Sequence, residues 1–144
     1  LLMTGNGRIK IIDFGQSCPV GTVKERIQGT PDYIAPEQVR REAITPATDV
    51  FNLGASLYWL LTRQHVPTLM PKGEGSLNLQ ADVTVTPPRE LNEQVVPALN
   101  ALVMDCVKQA PADRPQKMQT VIDRLDVAMA QLQRQGAAER ASSA

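Results

Sequence analysis

Apolar residues follow two different periods in different parts of this chain, and the change between them lays out its elements. At the start, Leu1-Leu2-Met3 and Arg8-Ile9-Lys10-Ile11-Ile12 flank Thr4-Gly5-Asn6-Gly7. Asn and Gly tolerate the positive φ of a tight turn, so the arrangement predicts strand, turn, strand, with Asp13 delivered at the end of the second strand. From Phe14 to Tyr33 neither period is sustained, and Gly15, Pro19, Gly21, Gly29 and Pro31 punctuate the stretch. It reads as a long surface segment, and long loops in compact domains are usually functional.

Thr45-Pro46 is a good helix start, because the hydroxyl can cap an orphan N–H and proline loses nothing at the first helical position. The helix is expected to run to about Thr62. Val50, Phe51, Leu53, Leu57, Tyr58, Trp59, Leu60 and Leu61 make it apolar nearly all round, which marks a helix surrounded by its neighbours. Arg63 to Leu91 carries Pro67, Pro71, Gly73, Gly75, Pro87 and Pro88 and a short alternating run from Asp82 to Thr86; mostly irregular structure with one short helix is expected. Leu99, Leu102, Val103, Cys106 and Val107 share one helical face, as do Met118, Val121, Ile122, Leu125, Met129 and Leu132. After Gln135 the composition turns to Gly, Ala, Ser and Arg, so 135–144 reads as a flexible tail or linker. The whole is mainly α with a small β-hairpin.

Composition narrows the class. With 42% hydrophobic residues in 144, one domain with a real core, or part of one, is expected. Lys+Arg and Asp+Glu are equal at 15 each, leaving no positive excess for binding phosphate backbones, so nucleic acid is not an expected partner. The densest apolar stretch, Val50 to Leu61, is too short for the roughly 20 residues of a membrane span. Cys18 and Cys106 lie far apart without metal-ligand spacing, and no leader opens the chain, which reads as a cytoplasmic location. Both thiols read as structural, Cys106 as a small hydrophobe. His65, alone in a proline-punctuated stretch, reads as a solvated loop histidine. The chain opens on Leu1-Leu2 rather than on methionine, as a cut inside a domain would.

The chemistry is carried by motifs in a fixed order. Asp13-Phe14-Gly15 follows a predicted strand; Gly29-Thr30-Pro31-Asp32-Tyr33-Ile34-Ala35-Pro36-Glu37 comes next; Asp49 to Gly54 opens the apolar helix; Asp113-Arg114-Pro115 lies between the last two helices. Together they resemble the metal-binding, activation-segment, central-helix and late arginine motifs of serine/threonine protein kinases. The resemblance spans about Leu1 to Leu132 and implies the helical C-terminal lobe of a protein-kinase-like fold over residues 1–134, with ATP and Mg²⁺ as ligands and proteins as substrates.

On that resemblance, Asp13 is the carboxylate that holds Mg²⁺ against the nucleotide phosphates, Phe14 packs under the site and Gly15 lets the activation segment reorient. Gly29, Thr30 and Tyr33 belong to the substrate-docking surface, and Thr30 favours Ser/Thr acceptors. Glu37 and Arg114 would form a buried ion pair tying the activation segment to the lobe. Asp49 would accept backbone N–H bonds from the catalytic loop, because a carboxylate at the mouth of an apolar helix needs donors. Between Asp13 and Thr30 the side-chain hydroxyls are Ser17 and Thr22, and Thr22 is the candidate regulatory phosphorylation site.

Departures matter as well. No Gly-rich loop, strand lysine, catalytic-loop aspartate or asparagine occurs in the 144 residues, so the chain is expected to be inactive by itself and to need the missing small lobe. A pseudokinase or truncated kinase-like binding module is the competing expectation. Gln16 stands where an apolar residue is commoner, and Gln116 where a helix-capping Ser or Thr is, which should weaken the start of the last helix. With the small lobe absent, exposed apolar surface predicts marginal stability and association.

Overall fold

A computed structural model of the chain describes residues 2–67, 69 and 84–142. Two two-residue strands, β1 (Leu2–Met3) and β2 (Ile9–Lys10), pair antiparallel with Leu2 opposite Lys10 and Met3 opposite Ile9. The turn closes where expected: the Thr4 N–H donates to the Arg8 carbonyl at 2.8 Å, and Gly7 takes a φ of 77° that side-chain-bearing residues avoid. The second strand is shorter than the expected 8–12. Among the described residues Ile9, Ile11 and Ile12 of the ribbon are all exposed, and an unsupported hairpin has little to extend it. Asp13 therefore sits in a loop three residues past the strand.

The helices are α1 (Pro36–Arg40), α2 (Pro46–Thr62), α3 (Pro88–Leu91), α4 (Pro97–Cys106) and α5 (Met118–Ser142), with a 3₁₀ turn at Pro111–Asp113. The first four each begin with proline at the first helical position, where its missing N–H has no helical partner to lose. Thr45 precedes α2 as expected, but its hydroxyl makes no cap bond. Instead the Thr48 hydroxyl reaches back to accept the Thr45 N–H at 3.1 Å. The short helix expected between Arg63 and Leu91 is α3. Of the alternating run Asp82–Thr86, the first two positions lie outside the described residues and Thr84–Thr86 are irregular.

The core forms around α2. Phe51, Ala55 and Tyr58 join Ala35, Val66, Val103 and Val107 in one cluster, and Val50 joins Leu102, Cys106 and Val121 in a second. Gly54 sets how closely α2 approaches α4, since a Cβ there would stand 2.5 Å from Cys106 Cβ. Not all of α2 is enclosed: Leu60 is 56% exposed. Helices α4 and α5 run antiparallel, stapled at both ends. Gln131 accepts the Ala98 N–H, one of the orphan donors of the first turn of α4, and at the other end Asp105 binds Arg124 at 2.8 Å and Lys108 at 2.7 Å.

Helix α5 departs from expectation twice. Val121 and Ala128 are buried and Leu125 half-buried, but Met118, Ile122, Met129 and Leu132 are each about half exposed, so four of the six residues of its apolar stripe are only partly covered. The helix also continues through 135–142, where a flexible tail was expected. Ala137, Ala138 and Ala141 are strong helix formers, and the Arg140 Nε donates to the Gly136 carbonyl at 2.9 Å. Intrinsic propensity outweighs the missing apolar face.

Candidate kinase substrate and metal site

The segment from Gly29 to Glu37 is fixed at its end by the most deeply buried charges described. Glu37 and Arg114, 1% and 0% exposed in their side chains, meet in a bidentate pair at 2.7 and 2.8 Å. A guanidinium has five N–H donors. Two go to Glu37, and the others to the carbonyls of Ala47 (2.9 Å), Lys108 (2.7 Å) and Gln109 (3.0 Å). The group also stacks over the Phe51 ring at 4.8 Å. Arg114 thus joins α1, the first turn of α2 and the end of α4, as buried charge requires full pairing. Burial pushes the Glu37 carboxyl up, but the hydrogen bond and charge of Arg114, with a further bond from Thr48, outweigh it and hold the group below its ordinary value. Gln116, expected only as a poor cap, donates to the Pro111 and Arg114 carbonyls at 2.8 and 2.7 Å and braces the turn that carries the arginine.

The middle of the segment hangs from α2. Asn52 Nδ2 donates to the Tyr33 carbonyl at 2.7 Å and to Gln38 Oε1 at 3.1 Å, and the same Oε1 accepts the Ala35 N–H at 3.0 Å. Gly29 has φ 137°, a glycine conformation, and its turn is closed by the Tyr33 N–H on the Thr30 carbonyl at 3.0 Å. Gly29, Thr30 and Tyr33 consequently line one cleft of about 230 Å³ together with Gln16, Lys24, Gln28, Ile34, Gln38 and Asn52. Of these, Lys24, Gln38 and Asn52 were invisible as site residues in the sequence; amides carry no motif until the backbone brings them to one wall.

The other expected site residues stand apart from that cleft. Asp13 is exposed with φ 62°, a conformation aspartate tolerates through local bonding, here from the Gly15 N–H to its Oδ1 at 3.3 Å. Phe14 is 67% exposed, so among the described residues it is not packed under a site as expected. Asp49 is exposed and its carboxylate accepts no hydrogen bond among the described residues, unlike the buried, N–H-satisfied carboxylate expected. Its expected donors belonged to a catalytic loop this sequence does not contain. Thr22 is half-buried; its hydroxyl donates to the Pro19 carbonyl at 2.7 Å and its carbonyl accepts the Ile44 N–H at 2.9 Å, within a short antiparallel pairing of Gly21–Val23 with Ala43–Ile44.

His65 corrects the solvated-histidine reading. Its ring lies edge-on to Tyr33 (5.5 Å) and is stacked at 24° on Trp59 (6.3 Å), with Nε2 3.9 Å from Asp32. It braces the Gly29–Glu37 segment against the end of α2. Cys18 and Cys106 are free thiols. Burial pushes Cys106 up to about 11, which leaves it an inert apolar filler at pH 7.

A family model described as the protein kinase domain matches residues 1–124. The chain is 32% identical over 131 residues to the tyrosine-protein kinase MasK of Myxococcus xanthus, covering 88% of this chain and 20% of that protein. It is 34% identical over 119 residues to the serine/threonine-protein kinase PknK of Mycobacterium bovis, covering 80% of this chain and 11% of that protein. To serine/threonine-protein kinase A of Synechocystis it is 28% identical over 129 residues, covering 86% of this chain and 25% of that protein. The chain thus spans a quarter or less of these relatives. No helix among the described residues is long and apolar enough to cross a membrane. With the matched stretch taking in both Asp13-Phe14-Gly15 and the Glu37–Arg114 pair, the chain belongs to the protein kinase family.

Proposed function

We propose that this chain is the metal-binding and substrate-docking portion of a cytoplasmic serine/threonine protein kinase, which moves the γ-phosphoryl group of ATP to Ser and Thr hydroxyls of protein substrates. Residues 1–134 make up that portion of the domain. The observation that carries the reading is the suspended Gly29–Glu37 segment: anchored by the Glu37–Arg114 pair and held at Tyr33 by Asn52, it leaves Gly29, Thr30 and Tyr33 facing an open cleft. Asp13 is an exposed hard-oxygen donor, and among the described residues no cluster of three His, Cys, Asp or Glu could hold a metal without outside ligands. That donor set fits Mg²⁺, which such sites bind through one or two carboxylates and substrate phosphates. Bound there, the ion would neutralise charge on the phosphoryl group.

The small lobe and catalytic loop of a longer protein supply the remaining groups in this reading, and the 144 residues alone are inactive. Thr22 is the proposed regulatory site; a phosphate there would remove its hydroxyl from Pro19 and strain the pairing with Ile44. The second reading, a kinase-like binding module, draws support from the exposure of Phe14 and Asp49. Labelled ATP and peptides bearing Ser, Thr or Tyr, given to the protein extended upstream through its small lobe, separate the two. Label should enter Ser and Thr peptides and fall on the order of 10²–10³-fold in Asp13→Asn. Label on Tyr alone would correct the acceptor, and nucleotide binding without transfer would establish the binding module.

A further inference from the structure

The cleft beside Gly29 and Thr30 has a one-sided chemistry. Its lining holds one cation, Lys24, and no carboxylate; the rest of its polar wall is the amides Gln16, Gln28, Gln38 and Asn52 with the Thr30 hydroxyl and the Tyr33 phenol. The hydrogen-bond network spends the donors of Asn52 on the Tyr33 carbonyl and Gln38 Oε1, and at Gln38 it spends the acceptor and leaves the donors. Gln38 Oε1 takes two N–H groups, from Ala35 and Asn52, so its NH₂ has no bond among the described residues. Lys24 Nζ gives one bond, to the Gln16 backbone carbonyl at 3.1 Å, and an ammonium has three donors. That bond ties the cation to Gln16, three residues past Asp13 in sequence. The acids adjacent in sequence to lining residues, Glu25, Asp32 and Glu37, are all outside the lining; Asp32 faces His65 and Glu37 is paired with Arg114.

We propose, building on the kinase reading, that this cleft selects substrates carrying an anionic oxygen group next to the acceptor hydroxyl, a carboxylate or a phosphate, with Lys24 and the Gln38 amide as the specificity-determining donors. Charge-assisted bonds of this kind discriminate well because a basic side chain in the same place would face the ammonium and leave the amide donors unmet.

The test uses the full-length protein and a peptide series identical except at the position beside the acceptor: Glu, phosphoserine, Gln or Lys. The inference expects kcat/KM for the Glu or phosphoserine peptide to exceed that for the Lys peptide by about tenfold or more, the scale of one charge-assisted hydrogen bond. Preference for Glu over phosphoserine, or the reverse, identifies the source of the anion. Lys24→Glu should collapse or invert the Glu-to-Lys ratio, and Gln38→Leu should reduce it. Equal rates on all four peptides would overturn the inference while leaving the kinase reading intact. No transfer to any peptide would overturn both.

Discussion

Arg114 shows how a single side chain can hold three elements and why its contribution is not that of the ion pair alone. Removing one partner of a buried pair typically costs about 3–5 kcal/mol, because the other charge is stranded. Here the two truncations should differ. Glu37→Gln keeps the three carbonyl bonds and strands part of one charge; Arg114→Met also orphans the carbonyls of Ala47, Lys108 and Gln109. Chemical denaturation should therefore show Arg114→Met as the more damaging. The double variant should not regain stability, since buried carbonyls without donors keep their own penalty. The pH dependence has a definite sign. The folded Glu37 carboxyl is held below its ordinary value, so its contribution is fully present above the unfolded value near about 4.3 and is lost as pH falls through the lower folded value. Melting temperature should drop across that acid range, and less steeply in Glu37→Gln. An equal slope in the variant would contradict this assignment. The residues of this anchor were legible as motif positions. Its carbonyl contacts were not, because backbone acceptors leave no trace in side-chain identity.

At the level of elements, α2, α4 and the start of α5 were readable from their 3.6-residue period because their apolar faces are what the core buries. Where burial does not decide, pattern failed in both directions. The ribbon strands are shorter than their β-branched run suggests because no layer covers Ile9, Ile11 and Ile12. The last two turns of α5 form without an apolar face because alanine propensity carries them. His65 and the cleft amides were misread or unseen for a related reason: they depend on chain segments brought together over long separations, Tyr33 with His65 and Gln38 with Asn52. The α5 extension offers a direct check. Gly136 lies within the helix, and a Cβ there would meet nothing nearer than Arg140 Nη2 at 3.8 Å. Gly136→Ala should then stabilise this stretch by roughly 0.5–1 kcal/mol, read as greater helical ellipticity and slower amide exchange over 132–142. Unchanged exchange would mean that the segment is not helical in solution.

For the molecule as a whole, the arrangement of apolar surface decides how the isolated chain behaves. Met3, Ile9, Ile11, Ile12, Phe14, Val20 and Val23 are all 48–74% exposed and fall in the first 23 residues, on either side of Asp13. A second apolar surface runs along α5 through Met118, Ile122, Met129 and Leu132. Soluble monomers rarely leave such contiguous surface uncovered, and with no net charge the chain has little mutual repulsion to keep copies apart. The isolated 144 residues should accordingly associate: sedimentation at rising concentration should give a weight-average mass well above 15.7 kDa. Two variants locate the surface. Ile11→Lys with Phe14→Ser should restore the monomer if the metal-loop side drives association, because both side chains are exposed and bury little in the monomer; Ile122→Lys with Met129→Lys should do so if α5 drives it. On the proposed reading, in which a small lobe covers the stretch around Asp13, the first pair is expected to be the one that matters. A sharp, reversible, concentration-independent monomeric melt well above ambient temperature would remove the argument and show that this surface is tolerated in water.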